Sequence, residues 1–83
     1  MVVVKLFANF REVAGKREVE VEAKSLKELL ENLVSMYPEF HGLMGYAVVV
    51  VNGKIADKEK DLMLKKEDTV AIFPPVSGGG HAF

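Results

Sequence analysis

Hydrophobic positions in this chain change their period several times. VVVKLFANF (residues 2–10) is almost continuously apolar, β-branched and aromatic, which predicts a buried strand. EVAGK (residues 12–16) supplies Gly15 for a turn. REVEVEA (residues 17–23) alternates strictly, with Val19 and Val21 on one face and Glu18, Glu20 and Glu22 on the other. That is a half-buried strand, and the two segments predict a hairpin. The period then becomes helical. Leu26, Leu29, Leu30, Leu33 and Val34 form one apolar stripe, and Lys27, Glu28, Glu31 and Asn32 take the wet side. Ser25 with Glu28 three residues later is a capping box, and Pro38 ends the helix at about Met36 or Tyr37. EFHGLMG (residues 39–45) reads as an irregular loop.

The second half returns to strands. YAVVVV (residues 46–51) is apolar and of strand length, Asn52-Gly53 is a two-residue hairpin signal, and KIA (residues 54–56) is a short return strand. DKEKDLMLKKED (residues 57–68) is a charged connection from which Leu62 and Leu64 turn towards the core, and TVAIF (residues 69–73) is the closing strand. The order β-β-α-β-β-β offers a single main helix to cover one face of a mixed sheet, an α+β roll. Neither an internal repeat nor a domain boundary interrupts it.

Composition narrows the function. In 83 residues, 49% are hydrophobic, enough for one core. A formal net charge of -1 provides no field to hold phosphates, so nucleic acid is not an expected partner. With no cysteine, thiolate catalysis and Cys metal sites are excluded, and His41 and His81 lie far apart in sequence. No stretch is long enough to span a membrane and the N-terminus does not read as a signal peptide, so a cytoplasmic protein is expected. Catalytic spacing is missing as well. Glu18, Glu20 and Glu22 read as a solvated face, and SGGG (residues 77–80) is not followed by the helix or Lys-Ser/Thr of a phosphate loop.

The end of the chain, IFPPVSGGGHAF, is left to explain. Pro74 and Pro75 cannot donate to a ladder, so pairing should stop after Phe73. They also project the chain stiffly. Beyond them comes a stretch with almost no side chains, slim enough to thread a channel that Cβ atoms would block. Five residues from Pro75 to Gly79 reach about 17 Å when extended. The pattern predicts a domain over residues 1–76 and a flexible tail over residues 77–83.

FPPVSGG (residues 73–79) resembles the ending of the MoaD/ThiS family of ubiquitin-like sulfur carriers, in its molybdopterin synthase small-subunit branch. The likeness extends to VKLFANFREVAGKREVEVE (residues 4–22), VVVVNGKIA (residues 48–56) and LKKEDTVAIFPPVSGG (residues 64–79), nearly the whole chain in order. It implies a ubiquitin-like β-grasp fold and a carrier that is a non-catalytic subunit of a sulfurtransferase complex. An E1-like adenylyltransferase would use ATP to adenylate the C-terminal glycine, and sulfur would displace AMP to leave a thiocarboxylate. The carrier itself would bind no cofactor. The large subunit of molybdopterin synthase would then receive the tail, and the sulfur would enter the dithiolene of a molybdenum or tungsten cofactor. The same activated glycine could instead be joined to lysines, as in a protein modifier, or serve tRNA thiolation or thiamine synthesis.

Carried onto this chain, the resemblance places the reacting carboxylate on Gly79, or on Gly80 if the third glycine is kept, with Pro74, Pro75, Gly78 and Gly79 as the tail motif. It places Phe7, Arg11, Ile55 and Phe73 on the partner-binding face. In one respect the chain departs from the family. Gly80, His81, Ala82 and Phe83 follow Gly79, so a tail-processing protease is expected to expose the glycine.

Overall fold

A computed structural model describes residues 1–75. The strands are β1 (Val2–Leu6), β2 (Glu18–Val21), β3 (Val48–Val51), β4 (Lys54–Ile55) and β5 (Thr69–Phe73). The helices are α1 (Ala8–Ala14), α2 (Leu26–Met36) and α3 (Phe40–Leu43), with a 3-10 turn over Met44–Tyr46. All five strands form one mixed sheet in the order β2-β1-β5-β3-β4. β1 and β5 run parallel in its middle, and the other neighbours are antiparallel.

Strict alternation decides which face of the sheet is covered. Val2, Val4 and Leu6 of β1, Val19 and Val21 of β2, Val49 and Val51 of β3, and Val70 and Ile72 of β5 are buried. They face α2, whose Leu26, Leu29 and Leu33 are completely buried. The helix begins as the capping box requires. Ser25 Oγ accepts from the Glu28 N–H at 3.2 Å, and Glu28 Oε1 accepts from the Lys24 N–H at 2.7 Å. The first bond pairs a donor that the helix cannot satisfy internally, and the second reaches back to the residue before the N-cap, so the box closes on Lys24 in place of Ser25.

The structure corrects the sequence reading at four places. The first strand stops at Leu6, and Phe7 to Phe10 do not continue it. Phe7 caps α1, in which Phe10, Val13 and Ala14 turn inward at helical spacing, and Gly15 ends it with a left-handed φ of 73°. β1 and β2 do pair, but a helix joins them in place of a tight turn. Residues 39–45 are mostly helical, because Phe40, Leu43 and Met44 repeat at i, i+3 and i+4 and Phe40 is completely buried. The third strand begins at Val48, two residues later than its apolar run, since Tyr46 belongs to the 3-10 turn and is exposed. Leu64 is buried as expected, but Leu62 is exposed: its carbonyl accepts from the Leu26 N–H at 2.7 Å while its side chain faces out.

The β3–β4 turn is fixed to β5 by a small polar network. Asn52 (φ 51°) and Gly53 (φ 85°) both adopt the positive φ that a type I′ turn demands. Asn52 Oδ1 accepts from the Thr69 N–H at 3.0 Å, its Nδ2 donates to Asp68 Oδ1 at 3.0 Å, and Asp68 Oδ2 accepts from the Lys65 N–H at 2.8 Å. These bonds favour the charged carboxylate, the Lys65 backbone bond most and the Asn52 amide next, and hold the Asp68 carboxyl below its ordinary range. A lowered folded-state pKa gives stability that is full above the unfolded value and lost as pH falls through the folded one. Wild type should therefore lose stability more steeply than Asp68→Ala below about pH 4. Denaturant midpoints measured across that range check this, and parallel curves would contradict it.

Candidate functional site

The site is built around the end of β5. Because β5 is the central strand, its C-terminal end opens between two neighbours. Parallel β1 brings Leu6 opposite Ile72, and antiparallel β3 brings Val48 opposite Phe73. The Phe7 N–H donates to the Ile72 carbonyl at 3.1 Å, which extends the parallel ladder by one bond and holds the start of α1 against the exit. Pairing ends at Phe73, where Pro74 removes the next donor. Pro74 is half-buried and Pro75 exposed, so the chain leaves the sheet here.

Phe7 and Phe73 meet edge to face, with ring centroids 6.1 Å apart and planes at 86°. Phe7 is 38% exposed, unusually high for an aromatic ring in a small domain. Arg11 lies over the Phe7 ring at 5.7 Å from its centroid, and its Nε donates to the Leu6 carbonyl at 3.3 Å. Backbone strain accompanies this arrangement. Ala8 has a φ of 52°, a conformation that costs a residue with a Cβ roughly 1–2 kcal/mol. That turn swings the chain from strand into helix, leaving Phe7 outward and Phe10 inward.

Three of the four residues expected at a partner face are therefore neighbours: Phe7, Arg11 and Phe73. Arg11 reaches them from helix α1, where a turn was anticipated. Ile55 shares the uncovered face of the sheet but stands apart. It pairs with Val50, which pairs with Ala71, so it lies two strands from β5, about 10 Å away. At 80% exposure it is the least covered large apolar side chain among the described residues. Gly78, Gly79 and Gly80 lie outside the described residues, as do His81 and the other residues of the expected tail.

Sequence reading missed the charged flank of the exit. Lys5, Leu6, Phe7, Arg11, Arg17 and Glu18 line an open groove of about 240 Å³. Arg17 reaches it because its carbonyl accepts from the Leu6 N–H at 2.8 Å, a pairing visible only once the β1–β2 register is known. A second groove, about 440 Å³ and mainly apolar, lies on the helical layer between Leu30 and Val34 of α2 and His41 and Met44. His41 is exposed on α3, and no cluster of three or more His, Cys, Asp or Glu suited to a metal occurs among the described residues. Nor, among them, is any helix long and apolar enough to cross a membrane.

Comparison with known proteins agrees with this fold. The ThiS family model matches residues 4–79. A molybdopterin synthase sulfur carrier subunit from Chlamydomonas reinhardtii is 34% identical over 79 residues, covering 92% of this chain and 95% of that protein. The solution structure of the small archaeal modifier protein 1 from Methanosarcina acetivorans superposes with a TM-score of 0.84 at 31% identity, covering 94% of this chain and 95% of that one. A chain in the Helicobacter pylori complex of subunits 1 and 2 of molybdopterin-converting factor shares the fold, with a TM-score of 0.68 at 24% identity over 94% of this chain and 97% of that one. With a five-stranded mixed sheet, one long helix across it and a family match over nearly its full length, the chain belongs to the MoaD/ThiS family of ubiquitin-like, β-grasp sulfur carriers.

Proposed function

We propose that this chain carries the sulfur of the molybdopterin dithiolene as a thiocarboxylate on Gly79, once the residues that follow it are removed. The observation that carries this reading is the exit. The central strand gives way to Pro74 and Pro75, directly before VSGG in the sequence, beside the exposed Phe7 and the half-buried Phe73, an arrangement suited to a partner that grips the domain and takes the tail into its own active site. A carboxylate is a poor electrophile. Attack of its oxygen on the α-phosphorus of ATP, in an E1-like partner, releases pyrophosphate and leaves an acyl-adenylate with AMP as the leaving group. A sulfide-level nucleophile then forms the C–S bond as the C–O bond to AMP breaks. The product is a soft nucleophile on a thread that a glycine-rich sequence keeps slim. The large subunit of molybdopterin synthase is the proposed acceptor. The chemistry that this scheme asks of the chain itself is limited to presenting the tail.

The direct test incubates a chain ending at Gly79 with ATP, sulfide and an E1-like enzyme, and looks by mass spectrometry for exchange of one oxygen for sulfur at the terminus. An unchanged mass would count against the carrier reading. The likeness to an archaeal modifier protein favours a second one, in which a lysine amine takes the place of sulfide and an isopeptide bond results. Loss of molybdopterin on deletion supports the carrier, and lysines bearing a Gly-Gly remnant support the modifier.

Docking through the exit predicts a separation of affinity from stability. Phe7→Ala and Phe73→Ala should each weaken binding to the large subunit by about 1–3 kcal/mol, roughly fivefold to a hundredfold in Kd. Phe7 already meets water over much of its ring, so folding should lose less than binding. Calorimetric titration alongside thermal melts measures both, and a folded variant with wild-type affinity would refute the role.

A further inference from the structure

Charge is distributed unevenly around the exit. The whole chain carries a formal net charge of -1, yet the groove beside Phe7 is lined by the three cations Lys5, Arg11 and Arg17 and only one carboxylate, Glu18. Register explains the arrangement. Lys5 and Glu18 sit directly opposite in the β1–β2 ladder, where unlike charges offset one another. Two guanidinium groups are then left over, on residues that both bond to Leu6, Arg11 through its side chain and Arg17 through its backbone. Arg11 Nε donates to the Leu6 carbonyl, and the Arg17 carbonyl accepts from the Leu6 N–H. Arg11 is also steadied across the Phe7 ring, with its Nε occupied by the Leu6 carbonyl. A planar fork held in place in this way loses less entropy on pairing with a carboxylate than a free side chain would.

We propose that this groove is a clamp for an acidic segment of the adenylating partner, with Arg11 and Arg17 pairing Asp or Glu side chains next to the point where the tail departs. This rests on the reading that the tail is adenylated by such a partner. An aromatic pair by itself would hold any apolar surface, whereas two cations on one side of the exit fix the direction of approach and favour an acidic partner. They also draw it in from a distance, so the association rate should fall as salt rises.

The test uses a chain ending at Gly79 and an E1-like adenylating enzyme, with pyrophosphate exchange and direct binding measured across a range of salt. Arg17→Glu should raise KM and Kd about tenfold at low salt and flatten the salt dependence, with Arg17→Gln between it and wild type. Glu18→Lys should shift both in the opposite direction. Arg17 and Glu18 have exposed side chains, and the Arg17 ladder bond is made by its backbone, so spectra of all three variants should report an intact fold. Arg17→Glu with wild-type KM, Kd and salt dependence would overturn the clamp while the exchange of the wild-type chain still stood. Salt-sensitive binding that Arg17→Glu abolishes, without exchange by any chain, would support the clamp and overturn the adenylation reading.

Discussion

A chain ending at Gly79 should be adenylated rapidly by an E1-like enzyme, and the 83-residue chain should not. The enzyme must hold a carboxylate oxygen in line with the α-phosphate of ATP, and the length of the thread from the end of β5 determines where that oxygen falls. The β5 end is fixed between β1 and β3, so extra residues cannot be absorbed by sliding the strand: every partner of Phe73 and Ile72 would have to change register. Adding Gly80, His81, Ala82 and Phe83 moves the carboxylate by about 14 Å if extended and puts a phenylalanine where a glycine should sit. Misplacement by about 1 Å can already cost a hundredfold in rate. ATP-pyrophosphate exchange on chains ending at Gly79, Gly80 and Phe83 measures the effect. The Gly79 chain should exceed the full chain by at least about a hundredfold, and the Gly80 chain reveals how tightly the length is set. Equal rates for all three would refute the need for processing. Mass spectrometry of the protein from its native cell would identify the end that is used.

Where side chains alternate strictly or sit beside a turn of one obligatory type, this fold was legible from the residues. Val19 and Val21 against Glu18 and Glu20 allow one facing, Asn52-Gly53 allows one turn, and Ser25 with Glu28 marks one helix start. The two helices that were missed are seven and four residues long. Helices that short are not stable by propensity and exist because tertiary contacts hold them. In Phe7 to Phe10 the apolar run also mixes two jobs, since Phe7 faces out beside Phe73 while Phe10 faces in beside Phe40. A residue count cannot separate them, because the reversal depends on the left-handed turn at Ala8, a position where sequence offers no glycine as a signal. Phe7, Arg11 and Phe73 were found through resemblance and are brought together by the parallel β1–β5 pairing. Arg17 was missed because its place in the groove follows from register.

That division of labour makes Phe10 the residue whose loss should cost the most. Phe10 is 1% exposed and Phe40 is 0% exposed, and their rings meet edge to face with centroids 5.3 Å apart. Tyr37 packs on Phe40 at 5.2 Å, so one aromatic row joins α1, the end of α2 and α3. Phe10→Ala removes the inward anchor of a helix too short to persist alone, and its backbone bonds would have to be held by Val13 and Ala14. Truncating a buried phenylalanine costs about 3–5 kcal/mol, and a domain of this size has roughly 4–12 kcal/mol to lose. A fall in Tm of the order of 20 °C is expected by circular dichroism. Phe10→Leu keeps most of the volume and should cost about 1–1.5 kcal/mol. The damage should also extend to docking. Arg11 and Phe7 are positioned by α1, so a Phe10→Leu chain that is still folded should bind the large subunit more weakly than wild type although position 10 remains buried. A Phe10→Ala chain destabilised by less than about 1 kcal/mol would show that α1 is held by something other than its aromatic anchor.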